Sequence, residues 1–426
     1  YTAWYLCEMA DRVDWIAELL RDRTFYIVPS INPDGRDNFL LEPNTPHSPR
    51  SGLAPRDDDG DGLFDEDDFD DLNGDGHITM MRRRSSNGRW ITSPEDPRIM
   101  VRAHADQPGE WELLGNEGFD NDGDGRVNED RRGYYDPNRN WPWRWAPAYV
   151  QSGSDAFPTS LPETRAVVEF VLAHPNIAAA QTYHNTGGMI LRGPGTESDS
   201  VQAADLRVMD EIGERGEMIL PGYRYISIWE DLYTTWGNEL DWFYAGRGII
   251  TFSNELWTSF NYFRESPENE RWDRADYRFD RYLLFGEAIV PWTPVDHPQY
   301  GRIEVGGVKR QYTRAIPGFL LREEAHRNMA FTLYQAGQMP LVRVDSVEVR
   351  SLGSGVSEVR ALISNRKLAP TRTEQDVVHG ISPPDRIRIE GGRVIAGFRI
   401  ENPLQGIAEE QEHRPAVSYT HLTLPT

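Results

Sequence analysis

The chain has 426 residues and carries 45 Lys and Arg against 68 Asp and Glu, for a formal net charge of −23. This charge argues against binding to nucleic acids or anionic membranes, and no apolar run approaches the ~20 residues of a membrane span. The 37 Gly, 29 Pro and 11% aromatic residues are typical of a loop-rich globular protein of two or three domains. The single cysteine, Cys7, excludes an intrachain disulfide.

The first predicted elements are a helix and a buried strand. Apolar residues at three- and four-residue steps predict an amphipathic helix over residues 3–22. The stretch TFYIVPSI (24–31) predicts a buried strand that ends at an NPDG turn, residues 32–35. Residues 40–132 are rich in acidic and glycine residues and are predicted to be mostly loop. Because the chain opens with Tyr1 rather than Met, we expect it to begin inside a longer protein.

Regular structure is predicted again from Ser160, which forms a capping box with Glu163 and opens a helix through Ala173. Strands that alternate with helices predict an α/β fold with a mixed, largely parallel sheet flanked by helices. Further helices are predicted at 200–217, 238–246 and 320–336, and strands at 177–184 and 249–256.

After about residue 341 the pattern changes to short alternating strands without helices between them, which is typical of a β-sandwich. We therefore predict a large domain at 1–338 with an insertion at about 40–132, and an accessory β-sandwich at 339–416. The stretch VSYTHLTLPT (417–426) resembles translated sequencing-adapter read-through and is expected to be a non-native tail. The strands are predicted at 341–350, 357–365, 385–391 and 393–400.

The stretch DPNRNWPWRW (136–145) places Arg139 between two amides and beside three tryptophans. An arginine in this setting is suited to a carboxylate, because its planar guanidinium donates parallel hydrogen bonds to both oxygens. The alternative for this stretch alone is a turn whose arginine pairs with an aspartate on an acidic surface.

Four separated stretches carry the remaining candidate chemistry. They are NPDG (32–35), NRNW (138–141), TYHNTGGMIL (182–191) and LYTTWGNELDWFYAGRGIITFSNEL (232–256). In this order and spacing the stretches resemble the zinc metallocarboxypeptidases of the carboxypeptidase A type. The resemblance implies an enzyme that uses zinc to hydrolyse C-terminal residues from peptides, with residues 1–338 as its catalytic domain.

The resemblance also implies a role for each matching position. His184 matches a zinc ligand, and Asn138 and Arg139 match the pair that binds the terminal carboxylate of the substrate. Tyr233 matches the tyrosine that closes over the substrate. Glu255 matches the catalytic carboxylate, which takes a proton from zinc-bound water and returns it to the leaving amine.

Further positions follow from the same resemblance. The family's oxyanion-stabilising arginine falls in the interrupted region, where MMRRRS offers Arg82, Arg83 and Arg84, and Arg82 is favoured. Leu240 falls in the specificity pocket and, being apolar, gives no reason to expect a preference for basic residues. The family's other two zinc ligands, a His and a Glu, are expected upstream of residue 1, so this chain by itself is expected to bind zinc poorly and to be inactive.

The insertion contains three stretches that fit the calcium-loop template and resemble the calcium repeats of dockerins and thrombospondin-type modules. Between Asp57 and Asp75 there are eleven acids and no base. A solvated acidic loop is the alternative, and without flanking helix pairs true EF-hands are not predicted. The predicted ligands are Asp57, Asp59, Asp61, Asp65 and Asp68 in the first loop (57–68), Asp71, Asn73 and Asp75 in the second (71–82), and Asp120, Asp122, Asp124 and Asn128 in the third (120–131).

Three functions stay open at this level. The favoured one is a zinc carboxypeptidase whose partner is a peptide with a free C-terminus. A second keeps the fold and zinc but acts on cell-wall peptides or acyl-amino acids, and a third is a non-catalytic calcium-binding recognition module. Structural calcium suits the millimolar concentrations found outside the cytosol, which favours a secreted or periplasmic protein. No feature predicts an oligomeric state.

Overall fold

The computed structural model describes residues 1–41, 54–104, 106–130, 133, 135–259, 262, 272–402, 404–405, 407–411, 413–414 and 419–422. Within these ranges, no helix combines the length and apolarity needed to cross a bilayer. The helices are α1 Thr2–Met9, α2 Asp14–Asp22, α3 Pro33–Leu41, α4 Pro162–Ala173, α5 Ala203–Ile219, α6 Ile228–Asp231, α7 Glu239–Asp241, α8 Trp272–Leu283, α9 Arg310–Arg314, α10 Leu321–Gln338 and α11 Glu374–His379. The strands are β1 Met80–Arg84, β2 Trp90–Thr92, β3 Met100–Arg102, β4 Trp111–Asn116, β5 Ala179–Asn185, β6 Met189–Arg192, β7 Arg224–Ser227, β8 Ile250–Leu256, β9 Ile289–His297, β10 Gly301–Val308, β11 Val342–Gly353, β12 Val356–Asn365, β13 Asp385–Arg388, β14 Phe398–Asn402, β15 Ile407–Glu410, β16 His413–Arg414 and β17 Tyr419–Leu422.

A four-stranded mixed sheet of order β5-β8-β6-β7 forms the centre of the fold. The β5–β8 and β6–β7 pairs are parallel, and β6–β8 is antiparallel. Phe252 of β8 is fully buried with Ile212 of α5 and Phe331 of α10, so these two helices share one core with the sheet. A second cluster joins Val168 and Val171 of α4 to the segment that precedes β8. The expected α/β class with a mixed sheet flanked by helices is confirmed.

The N-terminal predictions are only partly right. The predicted helix at 3–22 is divided into α1 and α2, although their apolar residues still pack together against α10. No strand forms at 24–31, because a strand needs a hydrogen-bonded neighbour and none pairs with this stretch within the described residues. The NPDG segment begins α3 instead of making a turn, with the Asn32 Oδ1 accepting the Gly35 N–H at 3.0 Å.

Within the described residues 40–132 is mostly loop, as predicted, but it also contributes four short strands that the sequence did not predict. Strands β1 to β4 join β9 and β10 in a six-stranded sheet of order β3-β2-β4-β1-β10-β9. Every pairing in this sheet is antiparallel. The strand sequences are short and rich in charge, as in MMRRR of β1, so they lack the apolar alternation that identifies a half-buried strand.

The four predicted C-terminal strands contribute to small separate sheets, and a β-sandwich is not confirmed. Strands β11 and β12 form a two-stranded hairpin, and the strands after residue 384 form sheets of two and three strands. Side chains along β11 are exposed on both faces, whereas a sandwich strand buries every second residue. Part of the tail expected to be non-native, residues 419–422, forms β17 beside β13.

Helix α11 was not predicted in this region. It packs against α5, where the fully buried Asp205 accepts the N–H groups of Glu374 and Gln375 at 2.8 and 2.9 Å. A carboxylate at the start of a helix satisfies donors that have no partner inside the helix.

Candidate active site

The candidate zinc ligand and the candidate base lie side by side at the ends of two parallel strands. In the β5–β8 register His184 is paired with Glu255, and Thr182 with Ser253. Side chains of paired residues in a parallel ladder leave the sheet on the same face. The carboxyl ends of such strands are where ligands collect in α/β sheets.

The NRNW stretch forms a 3₁₀ turn, Pro137–Arg139, that faces this strand end. Asp136 caps the turn by accepting the Asn138 N–H at 2.8 Å. Asn138 then connects two parts of the site, since its Oδ1 accepts the backbone N–H of Glu239 at 2.9 Å and its Nδ2 lies 3.5 Å from the His184 Nε2.

Arg139 is buried, with only 7% of its surface exposed. One guanidinium nitrogen donates to the backbone oxygen of Asn138 at 2.7 Å, and another contact reaches the Asp136 carboxylate at 3.8 Å. Within the described part of the chain, its other N–H groups have no recorded hydrogen-bond acceptor. Arg139 therefore contacts an acidic neighbour, Asp136, which is the kind of pairing that the sequence left open. This contact leaves guanidinium N–H groups available to a ligand.

The aromatic residues of the same stretch hold the turn in place. Trp141 is buried, and its ring centroid lies 5.3 Å from that of Trp242 and 5.6 Å from that of Phe243. Asn140 is fully buried and accepts the Leu161 N–H at 3.1 Å, which places the start of α4 against the turn. The predicted cap by Ser160 is absent, because its hydroxyl accepts from Asn140 instead.

A cleft of about 350 Å³ brings most of the predicted site residues together. Tyr233 is at its rim with 52% of its surface exposed, and Leu240 is 3% exposed in an apolar cluster with Leu191 and Ile228. The NPDG residues are not among those that line the cleft. The predicted residues that line it are Asn138, Arg139, His184, Tyr233, Leu240 and Glu255.

Glu239 is a residue of this cleft that the sequence interpretation missed. It is 4% exposed, and its Oε1 lies 2.7 Å from the His184 Nε2 and accepts the Thr182 hydroxyl at 3.1 Å. Burial alone would lower the pKa of His184, but the adjacent Glu239 carboxylate raises it to about 9. The available signal was a glutamate directly beside the apolar Leu240, since buried glutamates are rare without a partner.

The structure contradicts the role predicted for Arg82. Its guanidinium lies between the rings of Trp111 and Trp292, 3.9 and 4.1 Å from their centroids, and donates to the Glu304 carboxylate at 2.6 Å. Arg82 is buried within the six-stranded sheet and does not line the cleft. The prediction that Arg82 is the oxyanion donor is therefore wrong. Arg83 pairs with Glu112 in the same sheet, and Arg84 with Glu110.

Arg82→Ala is expected to lower the free energy of unfolding by about 2–3 kcal/mol, because it removes both the indole contacts and the partner of Glu304. Arg83→Ala is the matched control. It removes a pair whose side chains are 40% and 46% exposed, so a loss below about 1 kcal/mol is expected. Urea unfolding measures both. A hundredfold drop in kcat for Arg82→Ala with unchanged stability would restore its catalytic role.

The three acidic loops share one backbone geometry. In each, the first aspartate accepts the N–H groups of the residues at positions four and six, as Asp57 does from Gly60 and Gly62 at 2.6 and 3.1 Å. Asp71 and Asp120 make the equivalent bonds in the other two loops. The glycines at these positions have positive φ, which the tight turn requires.

Three predicted calcium ligands also make contacts with the backbone. Asp65 accepts the Arg56 N–H at 3.0 Å, and Asp68 accepts the Phe69 N–H at 2.8 Å. Neither belongs to a cluster of three carboxylates within the described ranges. Asn128 is buried and donates to the backbone oxygen of Asn116 at 3.0 Å. These contacts hold the loops in place, and the calcium roles of the three positions stay predictions.

The first and third loops also meet through their carboxylates. Asp59 belongs to a cluster with Asp57 and Asp61 of its own loop, and to another with Asp122 and Asp124 of the third loop. The second loop contributes to no cluster of three carboxylates among the described residues. Its Asp71, Asn73 and Asp75 instead accept backbone N–H groups of their own loop.

The mixed sheet thus carries a His–Glu pair at its strand ends, and an Arg–Asn pair faces them. Residues 115–270 match the family model described as zinc carboxypeptidase. This region of the chain is carboxypeptidase A-like. Residues 341–420 match a second model, described only as a domain of unknown function.

Curated relatives agree with this assignment. Carboxypeptidase A1 of Rattus norvegicus is 29% identical over 132 residues, which cover 28% of this chain and 31% of that protein. Carboxypeptidase A1 of Sus scrofa is 30% identical over 132 residues, which again cover 28% of this chain and 31% of that protein. The chain thus spans about a third of the length of these relatives.

Solved structures of the same class superimpose only partly. Bovine thrombin-activatable fibrinolysis inhibitor is 18% identical with a TM-score of 0.31, covering 48% of this chain and 56% of that one. Carboxypeptidase A from Helicoverpa armigera is 17% identical with a TM-score of 0.28, covering 48% and 43%. Superpositions this partial add nothing to the sequence match.

Proposed function

We propose that the protein is a metallocarboxypeptidase that removes C-terminal residues from peptides. The observation that carries the proposal is one cleft lined by residues from three separated stretches, 138–139, 184 and 233–255. Each stretch supplies a different chemical need of exopeptidase action: a carboxylate-binding arginine, a metal-binding histidine and a proton-accepting carboxylate.

In this proposal Arg139 and Asn138 bind the terminal carboxylate of the substrate. The unused N–H donors of the buried guanidinium support the assignment, because a charge-assisted pair with a carboxylate is strongest where water is excluded. Binding the chain end at a fixed point places the preceding peptide bond beside the strand ends. The substrate side chain then reaches the apolar surface around Leu240.

Glu255 is the proposed general base. It accepts a proton from the attacking water as the new carbon–oxygen bond forms, and it returns that proton to the amine as the carbon–nitrogen bond breaks. Tyr233, at the rim of the cleft, is the proposed group that covers bound substrate. Its exposure of 52% in the free protein supports this role, because a covering side chain has to be free to move.

The family implies a zinc ion, and the described residues fit one incompletely. His184 is one donor, and the Glu239 carboxylate beside its Nε2 is a second. Catalytic zinc sites use about three protein ligands, and in the described ranges no group of three candidate metal-binding side chains includes His184. No step is therefore assigned to zinc. Glu239 is also proposed to hold the His184 ring in position through the same contact.

Calcium and an extracytoplasmic location belong to the same proposal. The repeated loop geometry supports structural calcium in the insertion, and calcium of this kind suits a secreted or periplasmic protein. We also propose the division into a catalytic domain at 1–338 and an accessory domain at 339–416, for which the separate family match at 341–420 is the support.

The proposal is tested with matched peptides that have a free or an amidated C-terminus, using the polypeptide as it is naturally encoded. Release of the C-terminal residue from the free peptide alone is the expected result. Equal cleavage of both peptides would contradict exopeptidase action. A panel that includes cell-wall stem peptides and acyl-amino acids separates the favoured substrate class from its alternative. Calcium binding without hydrolysis of any member would favour a recognition module.

A further inference from the structure

We infer that Asp59, Glu66 and Asp130 form a calcium site that joins the first acidic loop to the third. One carboxylate oxygen from each residue lies within 4.8 Å of the other two. Two of the three residues, Glu66 and Asp130, occupy no ligand position of the calcium-loop template. The site is separate from the active-site cleft and does not rest on the proposed peptidase activity.

The burial of these carboxylates indicates that something neutralises them. Asp130 has no exposed surface, and its Oδ2 is buried without a hydrogen-bond partner among the described residues. Both carboxylate oxygens of Glu66 are buried and equally unpartnered there. A buried polar oxygen without a partner costs about 1–3 kcal/mol, and more when it is charged. Oxygens in this state stay together only when they are protonated or when a cation neutralises them.

The chemistry of the donors favours calcium. All three candidate ligands are carboxylate oxygens, which bind hard cations and not soft ones. No lysine or arginine of the described ranges is recorded in an ion pair with Asp59, Glu66 or Asp130. Calcium accepts six to eight oxygens from flexible loops, whereas magnesium demands an octahedral arrangement and retains several waters. A site built from two separate loops suits calcium.

The backbone brings the two loops together independently of any ion. The second carboxylate oxygen of Asp130, Oδ1, accepts the Asp58 N–H, so Asp130 is fixed beside the first loop. The Gly133 N–H donates to the Ala54 oxygen at 2.8 Å, which is a second contact between the residue stretches next to the two loops. Asp130 is therefore held in position at the cluster.

The position of Asp130 in the chain gives the site a structural consequence. Asp136, which caps the turn that carries Asn138 and Arg139, lies only six positions further along the chain. An ion that fixes Asp130 would thus fix the start of the segment that leads into the candidate active site.

The test is calcium titration of the full chain by calorimetry, combined with melting in EGTA and in calcium. Glu66→Gln and Asp130→Asn each remove one negative charge without changing side-chain size. Both are expected to weaken the tightest calcium site by roughly tenfold or more. In EGTA both variants should melt at or above the wild-type temperature, because repulsion between the carboxylates is relieved. In saturating calcium both should melt below it.

Glu112→Gln is the matched control, since it makes the same change within the insertion at a half-exposed residue that pairs with Arg83. It should leave the tightest site unchanged. Wild-type calcium affinity in both test variants, or equal weakening by Glu112→Gln, would overturn the site. Equal affinity for magnesium would overturn the assignment to calcium. Because binding and melting are the readouts, these outcomes are independent of whether the protein hydrolyses peptides.

Discussion

Glu255→Gln in the active enzyme is expected to lower kcat by about 10²–10⁴-fold, the usual contribution of a positioned general base. The substitution keeps the size and hydrogen-bonding capacity of the side chain but removes its ability to take a proton. Substrate binding should persist, because the proposed carboxylate-binding residues, Asn138 and Arg139, lie on a different segment. Steady-state kinetics on a peptide with a free C-terminus gives kcat and KM separately.

Glu323→Gln provides the matched control for this experiment. Glu323 lies on α10, pairs with Arg327 at 2.8 Å and is 63% exposed, so the same chemical change should leave kcat unaltered. If Glu255→Gln retained kcat within tenfold of wild type, another group would have to be the base. A rise in KM at constant kcat would assign Glu255 to substrate binding instead.

Arg139→Ala is expected to lower kcat/KM for peptides with a free C-terminus by about 10–150-fold. This range corresponds to the 1.5–3 kcal/mol of a hydrogen bond to a charged group. Residual cleavage of the amidated peptide should change little, because that substrate has no carboxylate to lose. The quantity to measure is the ratio of kcat/KM values for the free and amidated peptides.

Two further variants separate recognition from folding at this position. Arg144→Ala removes the other arginine of the stretch, which pairs with Asp199 at 2.7 Å and does not line the cleft, so the ratio should be preserved. Arg139→Lys keeps the charge without the planar guanidinium and should recover only part of the ratio. An equal loss on both peptides, together with a lower melting temperature, would mean that Arg139 is structural.

The elements of the central sheet could be predicted from the sequence because their signals are local. The apolar run that becomes β8 and the helical periodicity that becomes α10 each lie within fewer than twenty consecutive residues. The spacing of the motifs likewise placed His184 and Glu255 at strand ends, where the structure pairs them. Their catalytic roles remain predictions, whereas their proximity is a property of the fold.

Features that depend on distant partners could not be predicted in this way. Residues 24–31 have the composition of a strand but form none, because pairing requires a neighbour that local composition does not reveal. Strand β1 has the opposite character, with three arginines in a row. It nevertheless forms a strand between β4 and β10, and β10 lies more than two hundred residues away.

The candidate site likewise has features that the sequence predicted and features that only the structure revealed. The sequence by itself determined which residue types the cleft contains, since the motifs carry them in order. Only the tertiary structure decided that Arg82 is buried between two indoles, that Glu239 contacts His184 and that Asp130 reaches the first acidic loop. Each of these depends on a contact between residues at least 29 positions apart in the printed sequence. Such contacts depend on how whole elements pack, and local patterns of polarity do not reveal them.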